Sequence, residues 1–290
     1  MANTRQLKRR IATASNIAKI TKAMEMVAAS KMRKAQQQAL SSRAYSRAIQ
    51  ASLKKVAAYT NPNLHPLLGQ NQIGSDVVVI FSTDRGLCGA LNTHLFKTTL
   101  KWVQMYPNAK IVAVGKKAVT FARKTDIELF AQFTDLPDKV TPQEILAISS
   151  LVTKGYLNSQ FKSVHLIYMD FINTLSQKVR TVPLLPVADD FPNAQPDMVV
   201  PQLQAEYIFE PNARTILESL LPYYIENTLY QTLLEAKASE HSARMVAMKN
   251  ASENANDLVD ELKLLFNKSR QAAITDELRD IATATLTLQV

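Results

Sequence analysis

The chain predicts a small Rossmann-like α/β domain carried between two long helices that pair with each other as an antiparallel coiled coil. Three observations predict it. Residues 1–61 contain neither Gly nor Pro and are crowded with Ala, Lys, Arg, Gln and Met, all good helix formers. At about 1.5 Å per residue such a helix reaches roughly 90 Å, far more than a compact domain needs. Asp76 is followed by the continuous apolar run Val77-Val78-Val79-Ile80-Phe81, which suits a strand buried on both faces. Beyond Pro222 the chain again lacks Gly and Pro up to Val290, and Ala251, Ala255, Leu258, Leu262, Leu265, Ser269 and Ala272 keep an alternating heptad spacing. The segments that follow are an N-terminal coiled-coil helix over 1–61, a linker over 62–74, a central α/β domain over 75–205 and a C-terminal coiled-coil helix over 206–290.

Along the first helix, Leu7, Ile11, Ala14 and Ala18 form an inward seam that Ala28, Met32, Ala35 and Ala39 resume after Thr21 and Glu25. The seam is thin, because Ala lets backbones approach closely while burying little apolar area. Ile17, Ile20, Met24 and Val27 make a second apolar row, and a helix apolar on two faces needs two partners. Pro62, Pro66, Gly69 and Gly74 end the helix. After the first strand comes a loop over 82–89, then a helix from Ala90 to about Met105. Ile111 to Val114 reads as a second strand, Gly115-Lys116-Lys117 opens a short helix, and Ile127 to Phe133 is a weaker strand candidate. Thr141-Pro142-Gln143-Glu144 has capping-box form and starts a helix to about Gly155. Val164 to Phe171 and Lys178 to Pro183 read as strands joined at Asn173-Thr174, completing a mostly parallel sheet. Five prolines between Pro183 and Pro201 mark an irregular excursion. Helix resumes after Glu210-Pro211, with Pro222 expected to kink it or mark its start.

The 290 residues carry a formal net charge of +9. Its placement matters more than its size: residues 1–60 hold thirteen Lys or Arg against the single acid Glu25, and the remainder is slightly acidic. Such a helix suits an acidic protein partner or a nucleic acid. Against nucleic acid, the basic residues are interleaved with Ala, Met and Ile rather than aromatic residues, and no zinc-finger or RNA-recognition motif is present. The first residues lack a signal peptide's apolar region, and no run long enough to span a membrane occurs. A single cysteine, Cys88, excludes an intrachain disulfide and fits a reducing, cytoplasmic setting.

A phosphate-handling enzyme is the competing reading. Gly86-x-x-Gly89 and the helix start at Gly115-Lys116-Lys117 can each cradle a phosphate. The first lacks the third glycine of a dinucleotide fingerprint, however, and neither is a P-loop. His65, His94, His165 and His241 have no metal-ligand spacing. No catalytic residue, cofactor or metal site is expected. Asp84-Arg85 is expected to make a local ion pair or turn contact, and Cys88 to pack as a small apolar residue.

Three motifs resemble the gamma subunit of the F-type ATP synthase, the central rotor shaft. They are the run from Lys19-Ile20-Thr21-Lys22-Ala23-Met24-Glu25 through Met26-Val27-Ala28-Ala29-Ser30-Lys31-Met32, then Asp84-Arg85-Gly86-Leu87-Cys88-Gly89-Ala90-Leu91-Asn92, and Arg244-Met245-Val246-Ala247-Met248-Lys249 with Ala273-Ile274-Thr275-Asp276-Glu277-Leu278. Length and order agree over the whole chain, with one departure: Ala284-Thr285 stands where the family usually has Gly-Ala. The resemblance implies a non-catalytic, coiled-coil subunit, one copy per complex. It couples ion flow, usually of hydrogen ions, through the membrane ring of c subunits to ATP synthesis in the catalytic beta subunits. The implied partners are alpha, beta, epsilon and the c-ring, with no nucleic acid and no cofactor. Lys22, Met24, Lys31, Arg244, Arg270, Gln271, Thr275 and Glu277 would meet the alpha/beta ring. Tyr207, Phe209 and Glu210 would form the foot near epsilon and the c-ring. Leu286, Leu288 and Val290 would sit in an apolar sleeve. One cysteine excludes the thiol regulation of chloroplast relatives, and the implied placement is peripheral, on the cytoplasmic side of a bacterial plasma membrane.

Overall fold

The computed structural model describes residues 2–58, 65–187 and 212–287. A long helix α1 (Ala2–Ala58) precedes an alternation of strands and helices: β1 (Ser75–Phe81), α2 (Leu91–Met105), β2 (Lys110–Val114), α3 (Lys116–Lys124), β3 (Leu129–Phe133), α4 (Pro142–Leu157), β4 (Phe161–Phe171) and β5 (Gln177–Leu185). A second long helix, α5 (Ala213–Thr287), follows. By contacts the chain divides into a body, residues 29–243, and a helical unit, residues 1–28 with 244–290.

The body is built on a sheet of order β3-β2-β1-β4-β5. β1 runs parallel to β2 and β4, β2 parallel to β3, and β4 antiparallel to β5. Because side chains alternate along a strand, the apolar run of β1 serves both faces. Val77, Val79 and Phe81 join one core with Ile145, Ile148 and Val152 of α4, Leu53 of α1 and Leu221, Ile225 and Leu229 of α5. Val78 and Ile80 join the other, with Leu91, Leu95 and Trp102 of α2 and Ala118 and Phe121 of α3. The chain moves outward through α2 and α3, then returns to the opposite side of β1 through α4, and right-handed crossovers require those helices on opposite faces. The order therefore reverses between β1 and β4, the place where open α/β sheets of this kind usually leave a crevice for a ligand.

The elements follow local chemistry. Thr141 and Glu144 make the capping box at the start of α4, with Pro142 in its first turn. Gly115 sits at φ +93°, and a side chain there would overlap the Ser82 backbone, so only Gly joins β2 to α3 at this point. Leu67 and Leu68 pack into the core, and the Val187 N–H donates to the Leu67 carbonyl at 3.0 Å.

Two sequence expectations change. Pro222 does not mark the start of the last helix: α5 begins at Ala213 and carries Pro222 inside it, with Asn212 Oδ1 accepting from the Thr215 N–H at 2.9 Å. The C-terminal seam is also shifted by one position. Ser252, Ala255 and Val259 are buried, whereas Leu258 and Leu265 are about half exposed at 47% and 51%. Ala255, Leu262 and Ser269 belong to both registers, but Ser252, Val259, Phe266 and Ala273 take the inner places expected of Ala251, Leu258, Leu265 and Ala272. On α1 the expected inner positions Leu7, Ala14, Ala18, Ala28, Met32, Ala35 and Ala39 are buried, and Ile11 is only partly buried.

Candidate functional site

Within the helical unit, α1 and α5 meet through small residues. The Ser252 hydroxyl donates to the Ala18 carbonyl at 3.3 Å, a contact that small side chains permit. The second apolar row of α1 is outside: Ile17, Ile20 and Val27 are 48%, 60% and 55% exposed, and Met24 is half-buried. Lys22 stands exposed beside this row, its Nζ 3.0 Å from Glu25 one turn on. Farther along, Thr4, Arg5 and Lys8 of α1 and Phe266, Arg270, Ala273, Ile274 and Glu277 of α5 line an open groove of about 620 Å³. Its floor is apolar and its rim mostly basic.

The groove brings together Arg270 and Glu277. Gln271 and Thr275 are exposed outside it, and the Thr275 hydroxyl donates to its own helix at the Gln271 carbonyl, 2.9 Å away. Arg244 is half-buried. Tyr207, Phe209 and Glu210 lie outside the described residues, as do Leu288 and Val290. Lys31 belongs to the body, where its Nζ pairs with Asp138 at 2.7 Å.

That pair belongs to a second constellation, at the carboxyl ends of the strands. Ser239 and Ser242 of α5 are fully buried. Their hydroxyls donate to the Met169 carbonyl on β4 at 2.9 Å and to the Thr174 carbonyl in the β4–β5 turn at 2.7 Å. Lys237 donates to the Leu136 carbonyl at 3.3 Å, and His241 Nε2 lies 3.5 Å from Asp138. Burial pushes the Asp138 carboxyl up, but the Lys31 hydrogen bond and the His241 and Lys31 charges outweigh it and hold its pKa below the ordinary value. The crevice end of the sheet is thus a seat for the chain's own helix.

The helix start at α3 is closed in the same way. Asp84 Oδ1 accepts from the Lys116 N–H at 3.0 Å, the Thr83 carbonyl from the Lys117 N–H at 3.1 Å, and the Ser82 hydroxyl oxygen from the Ala118 N–H at 2.8 Å. A phosphate would need those donors, and a carboxylate already holds one. Asp84 thus caps a helix start 32 residues away, a long-range contact in place of the local turn contact that the sequence predicts, and the start of α3 does not serve as a phosphate cradle. Cys88 is buried in the α2–α3 core, with Asn92 Nδ2 3.4 Å from its Sγ. Among the described residues, no three His, Cys, Asp or Glu side chains converge to hold a metal, and no helix is long and apolar enough to cross a membrane.

Sequence reasoning missed the seat. Its signal was the stretch from Lys237 to Ser242, where two serines, Glu240 and His241 occupy buried positions on a helix; small polar residues there suit bonds to backbone carbonyls rather than solvent.

A family model described as ATP synthase matches residues 3–288. The ATP synthase gamma chain of Glaesserella parasuis serovar 5 is 41% identical over 285 residues, covering 97% of this chain and 98% of that protein. The gamma chain of Histophilus somni strain 2336 is 39% identical over 288 residues, with the same coverage. A chain from the central stalk and c-ring structure of the Tetrahymena thermophila mitochondrial ATP synthase aligns with TM-score 0.61 and 25% identity, over 80% of this chain and 99% of that one. One from the Euglena gracilis mitochondrial enzyme in rotational state 3 aligns with TM-score 0.68 and 20% identity, over 99% of this chain and 95% of that one, a likeness of fold.

Proposed function

The chain belongs to the ATP synthase gamma-chain family, and from that premise we propose that it is the turning central stalk of an F-type ATP synthase. Its two long helices form an antiparallel coiled coil. Supporting this, Ala18 meets Ser252, Arg43 meets Glu235 and Ser46 meets Asn227, so rising numbers on α1 meet falling numbers on α5. The observation that carries the function is the exposed row of Ile17, Ile20 and Val27 on a helix whose other apolar face is already used. Large apolar side chains left outside beside Lys19 and Lys22 suit an acidic, partly apolar partner surface.

That partner is the ring of alpha and beta subunits, one copy of this chain standing at its axis. The stalk holds no catalytic group of its own. It acts by meeting the beta subunits unequally: a surface that contacts open and closed subunits with different free energies shifts their nucleotide affinities, and by reciprocity nucleotide binding turns the stalk. Lys22 and Met24 contact the ring on one level with Arg244 nearby, while Arg270, Gln271, Thr275 and Glu277 meet it at another. Lys31, already paired within its own body, contributes less than Lys22. The foot at Tyr207, Phe209 and Glu210 meets epsilon and the c-ring, which places the chain peripherally on the cytoplasmic side of a bacterial membrane.

Supplying the chain to alpha and beta subunits that lack a gamma chain tests the reading. Co-purification of a complex with restored ATP hydrolysis is expected. A chain that stays unbound and restores nothing contradicts it.

A further inference from the structure

Beside the helix seat lies a partly buried polar cluster that the stalk mechanism does not use. Arg43 of α1 is its centre. Its Nε is 3.1 Å from Glu235 Oε1 on α5, its Nη2 donates to the Phe171 carbonyl at the end of β4 at 3.2 Å, and the same nitrogen is 3.9 Å from Asp170 Oδ1. Asp170 in turn faces Arg180 of β5 at 3.9 Å. Gln231 Nε2 reaches both Glu235 Oε1 at 2.8 Å and the Ala39 carbonyl at 3.3 Å. One guanidinium therefore bridges both long helices and the sheet, and Arg is the side chain whose planar fork can do this. Ala35, Phe171 and Ala238 form a small separate apolar group at this place, while Ala39, Leu233 and Leu234 beside it belong to the main core that the helices share with the sheet. A cavity of about 300 Å³ adjoins the cluster, lined by Arg43, Arg47, Arg180, Tyr168 and Glu235 among others. The polar cluster adds directional bonds to that shared apolar core.

We propose that the Arg43–Glu235–Phe171 junction is the positioning clamp that makes the α/β body turn together with α1 and α5, so that twist applied to the body reaches the helices without slip. The inference rests on the stalk reading above and goes beyond it by naming where torque crosses between elements. Apolar burial has no preferred direction, whereas hydrogen bonds to a backbone carbonyl and a buried carboxylate are directional and hold one register between the elements. Burial pushes the Glu235 carboxyl above its ordinary pKa range, with the Gln231 hydrogen bond working against it. The carboxylate's environment thus makes it depend on Arg43 and Gln231, since a buried carboxylate without partners is costly.

The test uses the assembled complex in sealed vesicles, once the parent chain has been seen to restore both ATP hydrolysis and ATP-driven ion pumping. If the parent restores neither, the stalk reading fails and the clamp is overturned with it. In that assembly Arg43→Ala and the near-isosteric Glu235→Gln lower ions pumped per ATP hydrolysed by at least about threefold, within the range by which coupling residues act, while hydrolysis is retained. Arg43→Lys, which keeps charge but cannot reach both helices and the Phe171 carbonyl at once, restores part of the ratio. A purely structural role would lower both activities together with the amount assembled. Equal loss of both, or an unchanged ratio in all three variants, overturns the clamp.

Discussion

The body and the helical unit solve burial in opposite ways. In the body, large side chains are inside: Ile80, Ile111, Leu95, Leu166 and Ile167 are fully buried between sheet and helices. In the helical unit most inner positions go to small residues, Ala14, Ala18, Ala28, Ser252 and Ala255, beside Leu7, Met248 and Val259, while Leu264, Leu278 and Ile281 stand mostly exposed. Apolar area removed from water is the main source of stability, so the body carries the fold and the helical unit carries surface. The lesson is that a thin seam need not be a defect; it leaves the large apolar residues free to face something else.

The largest expected effect is in the body. Leu166→Ala leaves a hole in a closed core and costs about 2–5 kcal/mol in urea unfolding of the full chain; a loss near that of an ordinary surface change, about 0.5 kcal/mol, would break the comparison. In the helical unit the opposite substitution hurts. Ala18→Leu forces the seam apart at the Ser252 hydrogen bond and costs about 1–3 kcal/mol, and a chain that melts no earlier than the parent would show that the seam is not closely packed.

A smaller effect sits at α4. Thr141→Ala removes half of the capping box and costs about 1 kcal/mol. The hydrogen bond from Thr141 holds the Glu144 carboxyl below its ordinary pKa. Since a depressed acid stabilises the fold above its unfolded value, this contribution is complete at neutral pH and is lost as pH falls through the depressed value. Acid unfolding of Thr141→Ala should therefore lack that part of the slope; identical acid limbs for the two chains would argue against the box. The smallest change in stability is expected at Ile20→Ser, within about 0.5 kcal/mol because the side chain is already exposed. Ring-coupled ATP hydrolysis should nonetheless fall, and a fully active complex would remove Ile20 from the working surface.

Much of this contrast is legible in the residues. The run Val77 to Phe81 announces a strand with two buried faces because alternation leaves no polar side, and Thr141 to Glu144 announces a helix start because its side chains satisfy particular backbone donors. The α5 seam is harder. Ala251-Leu258-Leu265 and Ser252-Val259-Phe266 both fit heptad spacing, and preferring leucine inside picks the wrong one, because here the leucines face outward. The β3 edge is weakly marked, its residues alternating between half-buried and exposed. The helix seat is not legible from local pattern at all. Ser239 donating to Met169 and Arg43 to Phe171 join residues far apart in sequence, and nothing near either residue signals the other. The surface row at Ile17, Ile20 and Val27 is legible as a surplus of apolar faces, while the partner proposed for it comes from the family alone.

The central claim is that an exposed helical surface of this chain turns inside a partner ring. It is tested most directly by fixing the alpha and beta ring of an assembled complex to a support, attaching a marker to the body at exposed Lys124, and watching it while ATP is hydrolysed. The account predicts sustained rotation in one direction that stops when ATP is withdrawn. A complex that hydrolyses ATP at the same rate while the marker only fluctuates about one position would contradict it.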